Sequence, residues 1–356
     1  MKKVLWKQVA LVAAVSISLL GCAGKTDTSG GNKSEKNANA DQTYTIKYAM
    51  TQGGTDPEES GEVMFVETFK KEVEEKSGGR IKVDIYPNGQ LGTGDEFVQG
   101  VIANSIEMAS INITLLDNLY KQNMVISSPG VFASEEETNE ILSGEWGKEH
   151  FQEMEDSIGV KMIAPICNGF RSFTTSNKEL TTVDTAKGVT FRVMQSPVMI
   201  KMVEALGAKA VPMAGAEMYT AMQNGTVDGQ ENPVVNILND KTYEVQKYLV
   251  LDKHVVSVNA VVMNSTFYNS LPQDLQQIID EASVNSAEAA KNVFNSINEK
   301  GIKKLEEYGM SVYIPTDSEL EAWHEKILMP CQEYIRSEIG DEVVDGLLEA
   351  IESYRR

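Results

Sequence analysis

Beyond about residue 43 the apolar positions follow two rhythms, one of period two and one of period three to four. Tyr44, Ile46, Tyr48 and Met50 alternate with Thr45, Lys47 and Ala49, which predicts a half-buried strand. Val63, Val66, Phe69 and Val73 then recur at helical spacing and stop at Ser77-Gly78-Gly79, a sequence suited to a helix C-terminus. Ile81, Val83 and Ile85 form a second alternating strand, ended by Pro87-Asn88-Gly89. A helix over about 95–103 and a buried strand in SIEMASIN follow. Strand, helix, strand, helix, strand is the order of an α/β sheet with helical crossovers.

The second half repeats the alternation. One helix is expected near 137–155, then a strand at Val160–Ala164, then loop and strand in NGFRSFTTSN. In VTFRVM, Val189, Phe191 and Val193 share one face and Arg192 stands on the other. Ser196-Pro197 reads as cap and first turn of a helix that ends at Leu206-Gly207. AEMYTAMQNG is a short helix stopped by Gly225, and VDGQENP reads as a loop. YLVL (248–251) and HVVSVNAVVM (254–263) are apolar enough for buried strands. The pattern from 272 to 308 predicts a long helix, SVYI (311–314) a last strand, and 318–337 and 341–354 two closing helices.

The first forty residues carry none of this. Lys2, Lys3 and Lys7 precede an apolar run from Val9 to Leu20, which is too short for the roughly 20 residues of a membrane-spanning helix. A basic start, a short apolar core and small residues before a cut mark a signal peptide over 1–21. Leu19-Leu20-Gly21-Cys22 resembles a lipobox, so Cys22 is the expected site of lipidation and cleavage. Residues 23–43 hold no large apolar side chain and form the expected flexible tether. The chain is therefore expected outside the cytoplasm, anchored to the cell membrane by a lipid on Cys22.

The remaining 44–356 is long for one core and suggests two lobes. A formal charge of −20 argues against nucleic acid and against anionic lipid surfaces as partners. It does not exclude an anionic small ligand held by local arginines. Besides Cys22 there are Cys167 and Cys331, which could pair or remain free buried thiols. His150, His254 and His324 lie at no metal-ligand spacing, and neither CxxC nor GxSxG occurs, so no metal, cofactor or catalytic residue is expected. Gly89, Gly92 and Gly94 in GQLGTGDEF do not have the spacing of a dinucleotide or P-loop motif and read as a turn.

KGVTFRVMQSP followed by ALGAKAVPMAGAEMYTAMQNGTVDGQENPVVNI resembles the solute-binding proteins of TRAP (tripartite ATP-independent periplasmic) transporters. YPNGQLGTGDEFVQGVIANSIEMA, NGFRSFTTSN and YEVQKYLVLDKHVVSVNAVVMN extend the resemblance over about 44–310. It implies a two-lobed α/β body of the periplasmic-binding-protein kind, with mixed sheets, a chain that crosses between lobes and a long helix spanning both. The expected division is 44–168 plus about 258–297 for lobe I, and 169–257 plus about 298–356 for lobe II. The implied function is capture of a carboxylate-bearing solute, a sugar acid such as a hexuronate or a C4-dicarboxylate, and delivery to a TRAP permease.

Carried over residue by residue, the resemblance makes Arg192 the partner of the ligand carboxylate, since a guanidinium presents two parallel N–H donors to two carboxylate oxygens. Arg171 and Asn168 in NGFRSFTT, and Asn232 in DGQENP, are further ligand contacts. Asn112 and Gln52 stand at strand ends, where ligands of α/β sheets collect, and are candidates for specificity. Asp228 and Glu231 are expected to support the loop, and Glu217 and Tyr219 to serve turn and core. Many relatives follow the arginine with Val-Pro; here Arg192-Val193-Met194-Gln195-Ser196-Pro197 alters the wall beside it. Two other readings share these residues: a ligand sensor for a membrane receptor, and an extracellular enzyme on acidic sugars, which would need an acid and a base at the scissile bond.

Overall fold

Strand β4 (Val160–Thr175) and strand β9 (Val255–Asn264) hold the molecule together in the computed structural model, which describes residues 42–53 and 56–356. The expected signal segment, Cys22 and nearly all of the tether lie outside the described residues. All ten residues of β9 are buried. Val258, Ala260 and Val262 face one core, and Val261 and Met263 face another, so a continuous apolar run is what a strand covered on both faces requires.

On one side of β9 lies β3 (Met108–Asn112), antiparallel to it, then β1 (Tyr44–Ala49) and β2 (Ile81–Tyr86), both parallel to β3 in sense. Helices α1 (Gly61–Lys76) and α2 (Gly94–Ile102) make the crossovers. Helix α2 starts with the reciprocal cap that its sequence allows: Thr93 accepts from the Glu96 amide and Glu96 accepts from the Thr93 amide at 2.7 Å. On the other side β4 carries the chain across. Its residues from Val160 to Arg171 pair with β9, and Ser172 to Thr175 pair with β7 (Gly229–Asn232). Beyond β7 lie β5 (Thr190–Val193) and β6 (Lys209–Pro212), while β8 (Tyr248–Val250) and β10 (Ser311–Tyr313) flank the end of β4.

The predicted helix over 137–155 is two helices, α3 (Glu135–Ser143) and α4 (Glu145–Ile158), parted at Gly144. NGFRSFTT is continuous strand, and DGQENP is largely the strand β7 rather than a loop. Helix α5 (Pro197–Ala205) begins at Ser196, as expected, but the Ser196 hydroxyl does not cap it; it donates to Asp117 Oδ2 at 2.6 Å. Helices α6 (Gly215–Gln223), α7 (Val234–Asn239) and α8 (Ser265–Ser270) are short.

The long helix α9 (Gln273–Glu307) packs Leu275, Ile279 and Phe294 against α1 and the first sheet region, and Leu305 against α7 and β8. It therefore spans both lobes. Helix α10 (Asp317–Ile339) covers α5, burying Trp323 and Ile327 with Phe191 and Met202. Helix α11 (Asp341–Arg355) goes elsewhere: Val344, Leu347 and Ile351 join the core of Phe97, Val101 and Val262. Its apolar stripe is thus buried with residues of the first sheet region, apart from the core that Trp323 and Ile327 of α10 join. Cys167 and Cys331 are both buried and free, in separate cores. Among the described residues no helix is long and apolar enough to cross a membrane.

The glycine of DGQENP is fixed by contact. A Cβ on Gly229 would sit 2.1 Å from the Thr174 carbonyl oxygen, a backbone atom that cannot swing away. Gly229→Ala is expected to lower unfolding free energy by about 3 kcal/mol, at the upper end of overpacking costs. Urea denaturation giving a loss below about 1 kcal/mol would contradict this reading of the β4–β7 seam.

Candidate functional site

Arg192 lies on β5 between two faces of different character. Phe191 and Val193 point into the core with Phe173, Met199 and Trp323, and the guanidinium occupies the other face. It is only 4% exposed. Nε and Nη2 donate to the Met213 carbonyl at 3.1 and 2.9 Å, which orients the planar group. Nη1 approaches Met218 Sδ at 3.6 Å. No carboxylate of the described residues lies within ion-pair distance of it. Burial pulls the guanidinium down to about 10, with Glu231 opposing the shift and Arg171 adding to it. It remains a cation at neutral pH, desolvated and without a partner of opposite charge.

Arg171 has the reverse arrangement. It is 2% exposed on β4, and its Nε and Nη2 bind the Glu231 carboxylate side by side, Nη2 to Oε1 at 2.9 Å. Nη2 also donates to the Glu231 carbonyl, and Nη1 reaches Ser257 Oγ at 3.5 Å. Glu231 further accepts from His254 Nε2 at 3.4 Å, and His254 Nδ1 is 2.7 Å from Asp252 Oδ2. Burial alone would push Glu231 up, but Arg171 and His254 outweigh it and hold the carboxyl at about 2. Burial would likewise push His254 down, and the Asp252 and Glu231 carboxylates bring it up to about 9. Four charges of alternating sign thus neutralise one another behind the site.

Both arginines line a cavity of about 370 Å³. Asn232, Asn112 and Gln52 line it too, so five of the six candidate ligand contacts meet around one space. Asn232, at the end of β7, donates to Gln230 Oε1 at 2.6 Å. Asn112 is engaged at both ends of its amide: Oδ1 accepts from the Thr114 amide at 3.0 Å and Nδ2 donates to Ser257 Oγ at 3.0 Å. Gln52 Nε2 donates to Asp240 Oδ1 at 3.1 Å.

Asn168 is not among the lining groups. The bulge in β4 between Cys167 and Gly169 turns it toward α7, where Nδ2 donates to Asn236 Oδ1 at 3.1 Å. It borders a separate small cavity of about 70 Å³ with Gln52, Glu62 and Asn259. Asp228 and Glu231 have supporting bonds: Asp228 Oδ2 accepts from the Thr190 amide at 2.8 Å, and Glu231 holds Arg171.

Several lining groups escaped the sequence reading. The turn Gly92–Asp95 forms one wall, whereas Met194 and Gln195 line the space beside Arg192, where the departure from Val-Pro was expected to alter the wall. Tyr219, expected in turn or core, also borders the space. Asp240 and Asn236 were unmarked. A signal for Asp240 existed: it caps the carbonyl end of α7, where a helix dipole disfavours an anion. Among the described residues no group of three or more His, Cys, Asp or Glu side chains is arranged to hold a metal ion.

A family model described as bacterial extracellular solute-binding protein, family 7, matches residues 53–337. The C4-dicarboxylate-binding periplasmic protein DctP of Rhodobacter capsulatus is 29% identical over 304 residues, covering 85% of this chain and 90% of its own. The crystal structure of a sugar acid binding protein from Advenella mimigardefordensis in complex with galactonate superposes with a TM-score of 0.82. It is 30% identical and covers 88% of this chain and 99% of its own. A TRAP periplasmic solute-binding protein from a Sulfitobacter species, with bound β-D-galacturonate, gives a TM-score of 0.81 at 25% identity, covering 86% and 99%.

The charge chain behind the site sets a pH dependence. The folded pKa of His254 lies above its unfolded value of 6.5, so its contribution is complete below pH 6.5 and lost as pH rises through about 9. Between pH 6 and 9.5 wild-type unfolding free energy should fall by about 3 kcal/mol from this group. His254→Gln should start lower at pH 6 and lose less than half as much over the same interval. Parallel stability-against-pH curves for the two proteins would remove His254 from this role.

Proposed function

This chain belongs to the bacterial extracellular solute-binding proteins of family 7, and from that premise we propose that it captures a carboxylate-bearing solute outside the cytoplasm and delivers it to a TRAP permease. The solute class is a sugar acid or a C4-dicarboxylate, the ligands named for its relatives. One observation carries the reading. Arg192 is a buried, oriented cation on a cavity wall with no carboxylate of its own, and a ligand carboxylate supplies the missing charge and the acceptors for Nη1 and Nη2. Asn232 stands beside it as donor or acceptor. Arg171 contributes through Nη1, since Glu231 neutralises its charge and occupies its other donors. Gln52 and Asn112 bear on the rest of the ligand, and Asn168 acts through Asn236 rather than by contact.

The reading is of a binding protein rather than a catalyst. Micromolar affinity corresponds to about −8 kcal/mol, within reach of one charge-assisted pair, several hydrogen bonds and closure of the lobes. The lobes are taken as 44–168 with 258–297, and 169–257 with the segment through α10, α11 belonging to the first. Hydrogen bonds join the facing sides, among them Gln52 to Asp240, Asn118 Nδ2 to the Gln195 carbonyl at 2.6 Å, and Ser196 to Asp117. A lipid on Cys22 with the polar segment after it would keep the protein near its permease and raise the effective concentration.

Calorimetry with galactonate, galacturonate and succinate tests the site. For the best of the three acids, Arg192→Lys is expected to weaken binding at least about thirtyfold, because lysine keeps charge but loses the fork. Asn232→Ala should weaken it less. Equal affinity of wild type and Arg192→Lys would sink the assignment. For the anchor, Cys22→Ser expressed in a bacterial host should move the protein from the membrane fraction to the soluble fraction. Unchanged membrane association would leave Cys22 without that role.

A further inference from the structure

The charges around the cavity are unequal once the internal pairs are removed. Four ionisable side chains border it: Arg171, Arg192, Asp95 and Asp240. Glu231 neutralises Arg171. Arg192 therefore faces two carboxylates. When a ligand carboxylate pairs with Arg192, the remaining ionisable groups of the wall are acidic.

Asp240 is the more constrained of the two. Its Oδ1 accepts from Gln52, and its Oδ2 accepts from no side chain or amide among the described residues. It stands at the carbonyl end of α7, where the partial negative charge of the helix gives it no support. Burial raises its carboxyl above the usual range, with Gln52 and Arg192 pulling back. Asp95, at the start of α2, is raised for the same reason, and Arg192 again opposes. Behind Gln52, Glu62 is driven up to about 8 by burial and then by the charge of Asp240. This part of the site has acceptors in excess and few donors.

A ligand group placed there must donate hydrogen bonds. A hydroxyl can; a second carboxylate cannot, and it would stand against the carboxyls of Asp240 and Asp95 in a partly desolvated space. On the footing of the function proposed above, we infer that Asp240 is a specificity-determining residue that makes this a site for a polyhydroxylated monocarboxylate, an aldonate or uronate, and closes it to C4-dicarboxylates. The ligand carboxylate takes Arg192, a ligand hydroxyl donates to the open oxygen of Asp240, and Gln52 holds that carboxylate in place. The cavity of about 370 Å³ has room for a six-carbon acid. The surrounding amides of Asn112, Asn232 and Asn236 both donate and accept, as a polyol requires.

The test is titration calorimetry of the mature protein with galactonate, galacturonate, succinate and glutamine, on wild type, Asp240→Asn and Arg192→Lys. Thermal melts of the unliganded proteins establish that each variant is folded. Wild type should bind one of the sugar acids at least about a hundredfold more tightly than succinate. Asp240→Asn should lose about tenfold to a hundredfold in sugar-acid affinity, the scale of a hydrogen bond to a charged group, and should gain affinity for succinate. Arg192→Lys should weaken all acids and leave their order unchanged. If succinate or glutamine binds wild type more tightly than both sugar acids, the inference falls while an effect of Arg192→Lys keeps the proposed function. If Asp240→Asn folds and leaves the sugar-acid to succinate ratio unchanged, the inference also falls. If no acid binds, both fall together. Should Asp240→Asn not fold, Gln52→Leu, which removes the donor to Asp240, is expected to narrow the same ratio, and an unchanged ratio overturns the inference.

Discussion

Arg171 and Glu231 form a buried ion pair at the seam where β4 leaves β9 and takes up β7, and much of the molecule is arranged around that pair. Two guanidinium groups on β4 and β5, with β7 between them and both nearly without solvent, repel each other. Glu231 removes one charge from the account by gripping Arg171 along two edges. His254 and Asp252 extend the alternation into the core, where His254 stacks on Phe173 with ring centres 4.3 Å apart. What remains unneutralised is Arg192. Of the two buried cations on the cavity wall, one is thus cancelled internally and the other is left for the proposed ligand carboxylate.

The same seam explains why the chain can be both two-lobed and continuous. β4 and β9 are long enough to belong to the first sheet region and to lead into the second, and the bulges in β4 after Met162 and Cys167 let it turn as it crosses. α9 lies along the same crossing, with apolar contacts at both ends and Gly301 allowing close approach to α7, where a Cβ would meet Val234 Cγ1 at 2.4 Å. Ligand groups on β5 and β7 face groups on the loops after β1 and β3 across a space that these crossing elements define. In the capture proposed above, closure of the lobes about these crossing elements narrows that space.

Much of this was legible in the sequence because burial imposes periodicity. β9 announced itself through HVVSVNAVVM, α9 through 35 residues of helical spacing, and the facing of Arg192 through its place between Phe191 and Val193, its expected role coming from the resemblance alone. The failures share a cause. β7 reads GQEN and contains no apolar residue, since its side chains make a buried polar network instead of a core; no hydrophobic pattern can reveal such a strand. Ser196 looked like a cap because Ser-Pro often is one, and a tertiary partner, Asp117, took its hydroxyl. Asn168 shares a loop-like motif with Arg171, and a single bulge separates their directions. Asp240 lies 48 residues from Arg192 with no motif to join them, and only the fold brings both to one cavity.

A chain of net charge −20 that collects anions presents an electrostatic contrast resolved by distance. At physiological salt the screening length is about 8 Å, so exposed carboxylates scattered over the surface contribute little to the potential inside the cleft. In the site proposed above, affinity is set by groups that solvent does not screen: Arg192 in favour, Asp95 and Asp240 against any second negative charge. The surface acts on the encounter instead, slowing the approach of anions in general. On that proposal, most of the selectivity comes from the interior. A monoanion meets that barrier once and gains hydroxyl contacts within; a dianion meets a larger barrier outside and finds no second cation to offset it inside. Global charge and local charge thus favour the same class of ligand, although only the local term has the short range needed to recognise it.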